Sequence, residues 1–274
     1  MNRAKSYVLP LLLLTLFSTN SRAQQERPAI ARASAVARAA EPPGAPLDTP
    51  TAEEINNAGC EYANARQYEK AVEQFKLAIS LKPELVEAHT NLGLVYSWSE
   101  RVAQAVAPLK EAVRLNPTAP QTHFNLGRVY YHAGQTREAI KSLEQAIALK
   151  PDYDRAHDQL GAIYNRTGRR AEALKHLLEA VRLNPRNALA LNNLGVAQTI
   201  DKQYEAAETA LRRAVELDPG FVEAHYNLGT LYVTLKNKRA AIGVQAALKQ
   251  IDAEMGRKLF NEIHQDKILS LSQK

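Results

Sequence analysis

Six glycines stand 34 residues apart without one insertion: Gly59, Gly93, Gly127, Gly161, Gly195 and Gly229. A strict period of this length means that each unit is one supersecondary piece, unable to bury its apolar face alone and stacked on its neighbours to do so. Other columns keep the same phase. Ala71, Ala105, Ala139, Ala173, Ala207 and Ala241 follow each glycine by 12 residues. Ala78, Ala112, Ala146, Ala180 and Ala214 follow by 19, with Leu248 in the last copy. Pro83, Pro117, Pro151, Pro185 and Pro219 follow by 24, with Ala253 in the last copy. Tyr62, Tyr96, Tyr130, Tyr164 and Tyr232 follow by 3, with Gln198 in the fifth.

Each unit divides into two helical stretches, such as Pro120 to Ala133 and Thr136 to Leu149. Pro120 suits a helix start, where its missing N–H has no partner to lose. Gly134 and Gly168 sit in the turn between the stretches, where a positive φ costs glycine little. The mid-helix glycine costs about 1 kcal/mol against Ala unless it packs, so it is expected where the two helices touch backbone to backbone. The proline ends the second helix and opens the next unit. These readings predict an all-α chain: a right-handed α-solenoid of six helix-turn-helix repeats (52–85, 86–119, 120–153, 154–187, 188–221 and 222–255) closed by a capping helix and tail over 256–274. The sixth copy loses its late columns, with Gln245, Leu248 and Ala253, as a terminal unit facing water should. Ala253 to His264 reads as the final solvating helix and Leu269 to Lys274 as a frayed tail. Pro108, inside a second helix, is expected to bend or loosen it.

The 34-residue pattern resembles the tetratricopeptide repeat and covers residues 52 to about 255. Runs such as Glu223-Ala224-His225-Tyr226-Asn227-Leu228-Gly229 resemble the repeats of O-linked N-acetylglucosamine transferase. One departure is that His89, His123, His157 and His225 stand where the family often has Trp. The resemblance implies a protein or peptide partner bound on a concave face. The family's carboxylate clamp for chaperone tails needs Lys and Asn pairs in the first copies. Asn56 and Cys60 stand there instead.

The N-terminus has the three-part grammar of a secretory signal. Met1 to Lys5 is basic, Tyr7 to Phe17 is an apolar run of 11 residues, and Ser21 and Ala23 fit the small positions of a cleavage site. Residues 1–23 are therefore read as an export signal, with the mature protein periplasmic or secreted; a membrane is involved only if the signal stays uncleaved. Residues 24–51, rich in Ala, Pro and Arg, read as a disordered linker. The net charge of +6 includes Arg3, Lys5 and Arg22 in that signal, so the mature count is 32 Lys+Arg (35 minus 3) against 29 Asp+Glu, or +3. Interleaved charge of this size argues against a nucleic-acid partner. Cys60 is alone, so no intramolecular disulfide forms; it reads as a small, partly buried side chain, or else as an intermolecular disulfide.

No phosphate loop, dinucleotide fingerprint, nucleophile elbow or paired zinc-ligand spacing is found. The reading is a non-catalytic chain with no cofactor, no metal and no small-molecule substrate. The four column histidines, a full repeat apart, are too distant to share one ion with bonds near 2 Å and are expected half-buried between helices. Asn57, Asn91, Asn125, Gln159, Asn193 and Asn227 form an amide column two residues before each glycine. Asn is a mediocre helix former, so its recurrence needs a reason. The resemblance implies a ladder on the concave face whose amides bond the backbone of an extended peptide, since an amide both donates and accepts. The other reason is a hydrogen bond between helices inside the hairpin. Trp98, Phe124, Arg128, Tyr131, His132 and Arg166, with Asp158, Asn165 and Tyr226 in comparable places, are implied to line the same face, suiting a peptide with apolar groups and an acidic residue. The expected function is a protein-interaction scaffold. The alternatives are a cell-envelope assembly factor, of pilus or outer-membrane machinery, and a targeting subunit of a separate enzyme such as a glycosyltransferase.

Overall fold

The computed structural model describes residues 50–271, with side chains to residue 264. The export signal at 1–23 and the linker at 24–51, except its last two residues, lie outside the described residues, as do 272–274. The chain divides between Pro151 and Asp152 into two compact units. The N-terminal unit holds three hairpins: α1 (Ala52–Asn64) with α2 (Tyr68–Leu81), α3 (Val86–Trp98) with α4 (Val102–Leu115), and α5 (Pro120–His132) with α6 (Thr136–Leu149). The C-terminal unit holds α7 (Asp154–Arg166) with α8 (Arg170–Leu183), α9 (Ala188–Ile200) with α10 (Tyr204–Leu217), α11 (Val222–Thr234) with α12 (Lys238–Ile251), and α13 (Ala253–Leu271). All described elements are helices, each packing on its hairpin partner and, within each unit, on the hairpin that follows.

Local sequence explains the helix ends. Thr51 opens α1 with a reciprocal capping box: its hydroxyl accepts from the Glu54 N–H at 3.2 Å, and the Glu54 carboxylate accepts from the Thr51 N–H at 3.1 Å. Each turn between first and second helix passes through one left-handed residue. Glycine supplies it at Gly134 and Gly168, but Arg66, Glu100, Lys202 and Lys236 adopt φ of 60°, 63°, 63° and 56° at the same place. A side chain there costs about 1 kcal/mol. The helix α4 runs unbroken through Pro108. Gln104, whose carbonyl the proline cannot pair, lies exposed, where water can take it.

At Gly93, Gly127, Gly161 and Gly195 the second helix brings its backbone close, as expected, and adds a bulky side chain to the contact. A Cβ on Gly195 would lie 2.5 Å from Leu211 Cγ and 3.2 Å from the Ala207 carbonyl. Gly93 meets Leu109, Gly127 meets Leu143, Gly161 meets Leu177 and Gly59 meets Phe75 in the same way. A bulky side chain from the second helix is therefore pressed against a bare first-helix backbone, and the Ala column lets the second helix come near enough to do so. These Phe and Leu side chains are fully buried.

The two ends are finished differently. On α1 the positions held by Leu and by an apolar residue in later copies (Leu92 and Val95, for instance) carry Ala58 and Glu61, and Glu61 is exposed. The last hairpin instead receives α13. Gln245 stands where the knob should be, and Leu259 of α13 fills the place, its Cδ2 2.3 Å from where a Gly229 Cβ would lie. Gln245 turns aside to donate to the Gly256 carbonyl at 3.1 Å. Leu259 packs with Tyr226, Leu248, Met255 and Ile263. Asp252 caps α13 through the N–H groups of Glu254 and Met255, both at 2.9 Å. No Gly or Pro follows Gly256 to stop the helix, so α13 continues past His264 to Leu271, where the sequence suggested fraying.

Candidate functional site

Three members of the amide column, Asn91, Asn193 and Asn227, join one hairpin to the next. Asn91 on α3 donates to Asn56 Oδ1 on α1 at 3.0 Å. Asn193 on α9 donates to Asp158 Oδ1 on α7 at 2.8 Å. Asn227 on α11 donates to Asn192 Oδ1 on α9 at 2.9 Å. The acceptor each time sits one residue before the amide of the preceding copy, hence the constant separation of 35. The bond therefore runs between first helices of successive hairpins rather than inside one hairpin. All six of these side chains are buried. Each pair is worth about 1 kcal/mol net, while removing one partner strands the other at a cost of about 1–3 kcal/mol. Asn125 is also buried and accepts from Gln121 at 3.0 Å. Asn57 and Gln159 are half-buried. Asn227 Oδ1 is buried and has no partner among the described residues.

At the end of the series the same face of α11 meets α13. The Glu262 carboxylate accepts from the Tyr226 hydroxyl and, at 3.4 Å, from Thr230. Lys258 Nζ lies 4.8 Å from the Tyr226 ring centroid. Burial raises the proton affinity of Glu262, against the pull of Tyr226 and Lys258. Burial and then Glu262 push the Tyr226 phenol up. Tyr226, one of the side chains implied for the ligand face, is thus spent on the cap. Asp158 is spent on Asn193, and Asn165 donates to the Asn193 carbonyl at 3.2 Å.

The histidine column also serves stacking. Nε2 lies 2.8 Å from the Pro83 carbonyl in His89, 2.8 Å from that of Pro117 in His123, and 3.0 Å from that of Pro219 in His225. Each histidine thus ties its helix to the proline loop just before it. His157 differs in having its Nδ1 3.0 Å from Nδ1 of His176 on α8. Burial first, then His157 and Lys175, push His176 down to about 4, against Glu172. The sequence reading compared the column histidines only with one another and missed His176, which belongs to no column. Cys60 is 1 % exposed and accepts from Asn91 at 3.5 Å, deeper than the partly buried place the sequence suggested.

The remaining side chains implied for the ligand face lie chiefly on α3 and α5, adjacent in the N-terminal unit. Trp98, Arg128 and Tyr131 are half-buried and His132 is exposed. Phe124 is only 2 % exposed, so it serves as a floor, with the Arg128 guanidinium 5.8 Å above its ring. The Tyr131 and His132 rings are 6.1 Å apart. His132 reaches solvent, yet burial first and then Arg128 hold it below the ordinary histidine range. In the C-terminal unit the matching positions of α9, Asn192, Val196 and Thr199, are all buried. Arg166 is exposed at the end of α7. No group of three or more His, Cys, Asp and Glu able to hold a metal occurs among the described residues.

Helical hairpins repeated every 34 residues, with first helices clipped side chain to side chain, define an α-solenoid repeat protein. A TPR repeat profile matches residues 61–97 and 127–168, and two tetratricopeptide repeat profiles match 159–220 with 201–255, and 109–141. The chain is a tetratricopeptide repeat protein. It is similar to a chain in the crystal structure of the APC/C hetero-tetramer Cut9–Hcn1 at 21% identity and TM-score 0.69, over 78% of this chain but 42% of that one. It is similar to PilF of Pseudomonas aeruginosa at 17% identity and TM-score 0.68, over 77% of this chain and 97% of that one. A third similar structure is YrrB, described as a TPR protein with an unusual peptide-binding site, at 23% identity and TM-score 0.57, over 72% and 99%. At these identities the likeness is one of fold. No curated protein matches the sequence.

Proposed function

We propose that this chain is an exported, non-catalytic scaffold that holds an extended segment of a partner protein against the first helices of its N-terminal unit. The observation that carries the reading is the surface made by two adjacent first helices, on which Trp98, Arg128 and Tyr131 are half-buried and His132 is exposed. Large aromatic side chains and Arg are the usual anchors of interfaces. Arg128 beside aromatic surface suits a segment with an acidic residue next to an apolar one. Asn57, half-buried on α1 of the same unit, is a candidate secondary contact. The test is binding of the full chain to an array of extended peptides. Replacing Arg128 and His132 by Ala together is expected to weaken the best peptides at least tenfold, with little change in melting temperature. Equal binding by the double variant would remove this face from the proposal.

A second reading is an assembly factor of the cell envelope. It is favoured by the signal-like residues 1–23 together with a fold shared with PilF and with PilW, described as a type IV pilus biogenesis factor. Mass spectrometry of the N-terminus in fractionated cells tests it. A mature start near Gln24 in the exported fraction supports export, and an intact Met1 in the cytoplasm opposes it.

A further inference from the structure

In the three hairpins where the column histidine meets its loop, Nε2 faces a backbone carbonyl. A nitrogen facing a carbonyl carries the ring proton, which leaves Nδ1 with its lone pair. This is the arrangement by which metal-ligating histidines are oriented, the second nitrogen being fixed by a carbonyl. In the fourth hairpin the Nδ1 of His157 faces the Nδ1 of His176, 3.0 Å away on α8. The other five hairpins carry Gln74, Pro108, Ser142, Ala210 and Val244 at the place of His176, so the paired imidazoles belong to this hairpin and are no requirement of the repeat.

We propose that His157 and His176 form a bidentate site for a divalent transition-metal ion, Cu²⁺ in preference to Ni²⁺ or Zn²⁺. Two nitrogens 3.0 Å apart, each about 2.0–2.1 Å from a metal, subtend an angle of about 95° at it. That is the cis angle of a tetragonal site, the geometry of Cu(II) and Ni(II), and narrower than the tetrahedral angle zinc prefers. The order of affinity for nitrogen donors also places Cu²⁺ first. His157 is buried, and His176 is half-buried with its ring 5.7 Å from that of Tyr164, so one side of the pair reaches water, which fills the remaining coordination positions. The nearby carboxylates Glu172 and Glu179 are held by Arg169 and Arg182, so the ligand set is the two imidazoles. A bound ion would tie α7 to α8 at the start of the C-terminal unit.

The test titrates the full chain with one equivalent of Cu²⁺, read by isothermal calorimetry and by nitrogen hyperfine structure in electron paramagnetic resonance. His176→Ala and His176→Ser are the informative variants, since Ala210 and Ser142 already occupy that place in other hairpins. His123→Ala is the control for ordinary histidine binding. The expected result is a two-imidazole spectrum in the wild type and in His123→Ala, lost in both His176 variants with at least a tenfold fall in affinity. Equal affinity and spectra in the wild type and the His176 variants would overturn the site. So would a wild-type spectrum with fewer than two imidazoles, which would leave the pair as one imidazole hydrogen-bonded to the other.

Discussion

The hairpins α9–α10 and α11–α12 share a glycine, an alanine column and helix lengths, yet they bury the glycine differently. Gly195 receives Leu211 from its own second helix, whereas Gly229 receives Leu259 from α13, because Gln245 has replaced the knob. The bare backbone of the first helix must be covered by a bulky apolar side chain; which helix supplies it is free to change. That freedom lets the series of repeats stop. A polar knob leaves a gap, and a final helix drops into it. On the first hairpin the corresponding outer positions carry Ala58 and Glu61, and Glu61 is exposed.

The comparison is broken most severely by filling the glycine positions. Gly195→Val is expected to cost about 3 kcal/mol of unfolding free energy in urea, since both Leu211 and the Ala207 carbonyl stand in the way. Gly229→Val should instead expel α13 while its hairpin survives, seen as rapid proteolysis confined to the C-terminal helix. Leu259→Ala sharpens the same contrast: a cavity worth about 2–4 kcal/mol should release α13 locally, and Gln245→Leu should do so too by restoring the knob. Lys202→Gly and Lys236→Gly relieve left-handed residues in the turns of these two hairpins. Each is expected to gain up to about 1 kcal/mol, visible as a higher melting temperature. The smallest effect is one of pH. Glu262 has a raised proton affinity in the folded state, so its contribution to docking is full in acid, below the unfolded carboxylate value, and fades as pH rises through the folded one. Proteolysis of α13 should quicken across that rise, and Glu262→Gln should remove the dependence.

Much of this fold was legible because a 34-residue period projects straight onto helical hairpins. The turns, the proline stops and the decay of the sixth copy follow from φ restrictions and missing N–H groups, which are local. Relations between columns were harder to read. That Asn193 meets Asp158 depends on how two helices are rotated against one another, and a single column holds no record of its neighbour. The Phe75, Leu109, Leu143, Leu177 and Leu211 series was available as a further column and would have identified the knob. His176 had no column to reveal it, and Leu259 lies outside the repeat phase altogether. Of the residues assigned to the ligand face, Phe124 and Tyr226 proved to be packed away, since an aromatic ring on a first helix reads the same whether it faces a partner or the next hairpin.

The central claim is that the recurrent amides bind hairpin to hairpin, which a double-mutant cycle on Asn193 and Asp158 tests directly. Asn193→Leu, Asp158→Leu and the double variant would be unfolded in urea and compared with the wild type. Each single change should cost about 2 kcal/mol by stranding a buried partner, and the double should cost less than their sum, leaving an interaction energy of about 1 kcal/mol or more. Strict additivity, with no coupling between the two, would contradict the claim.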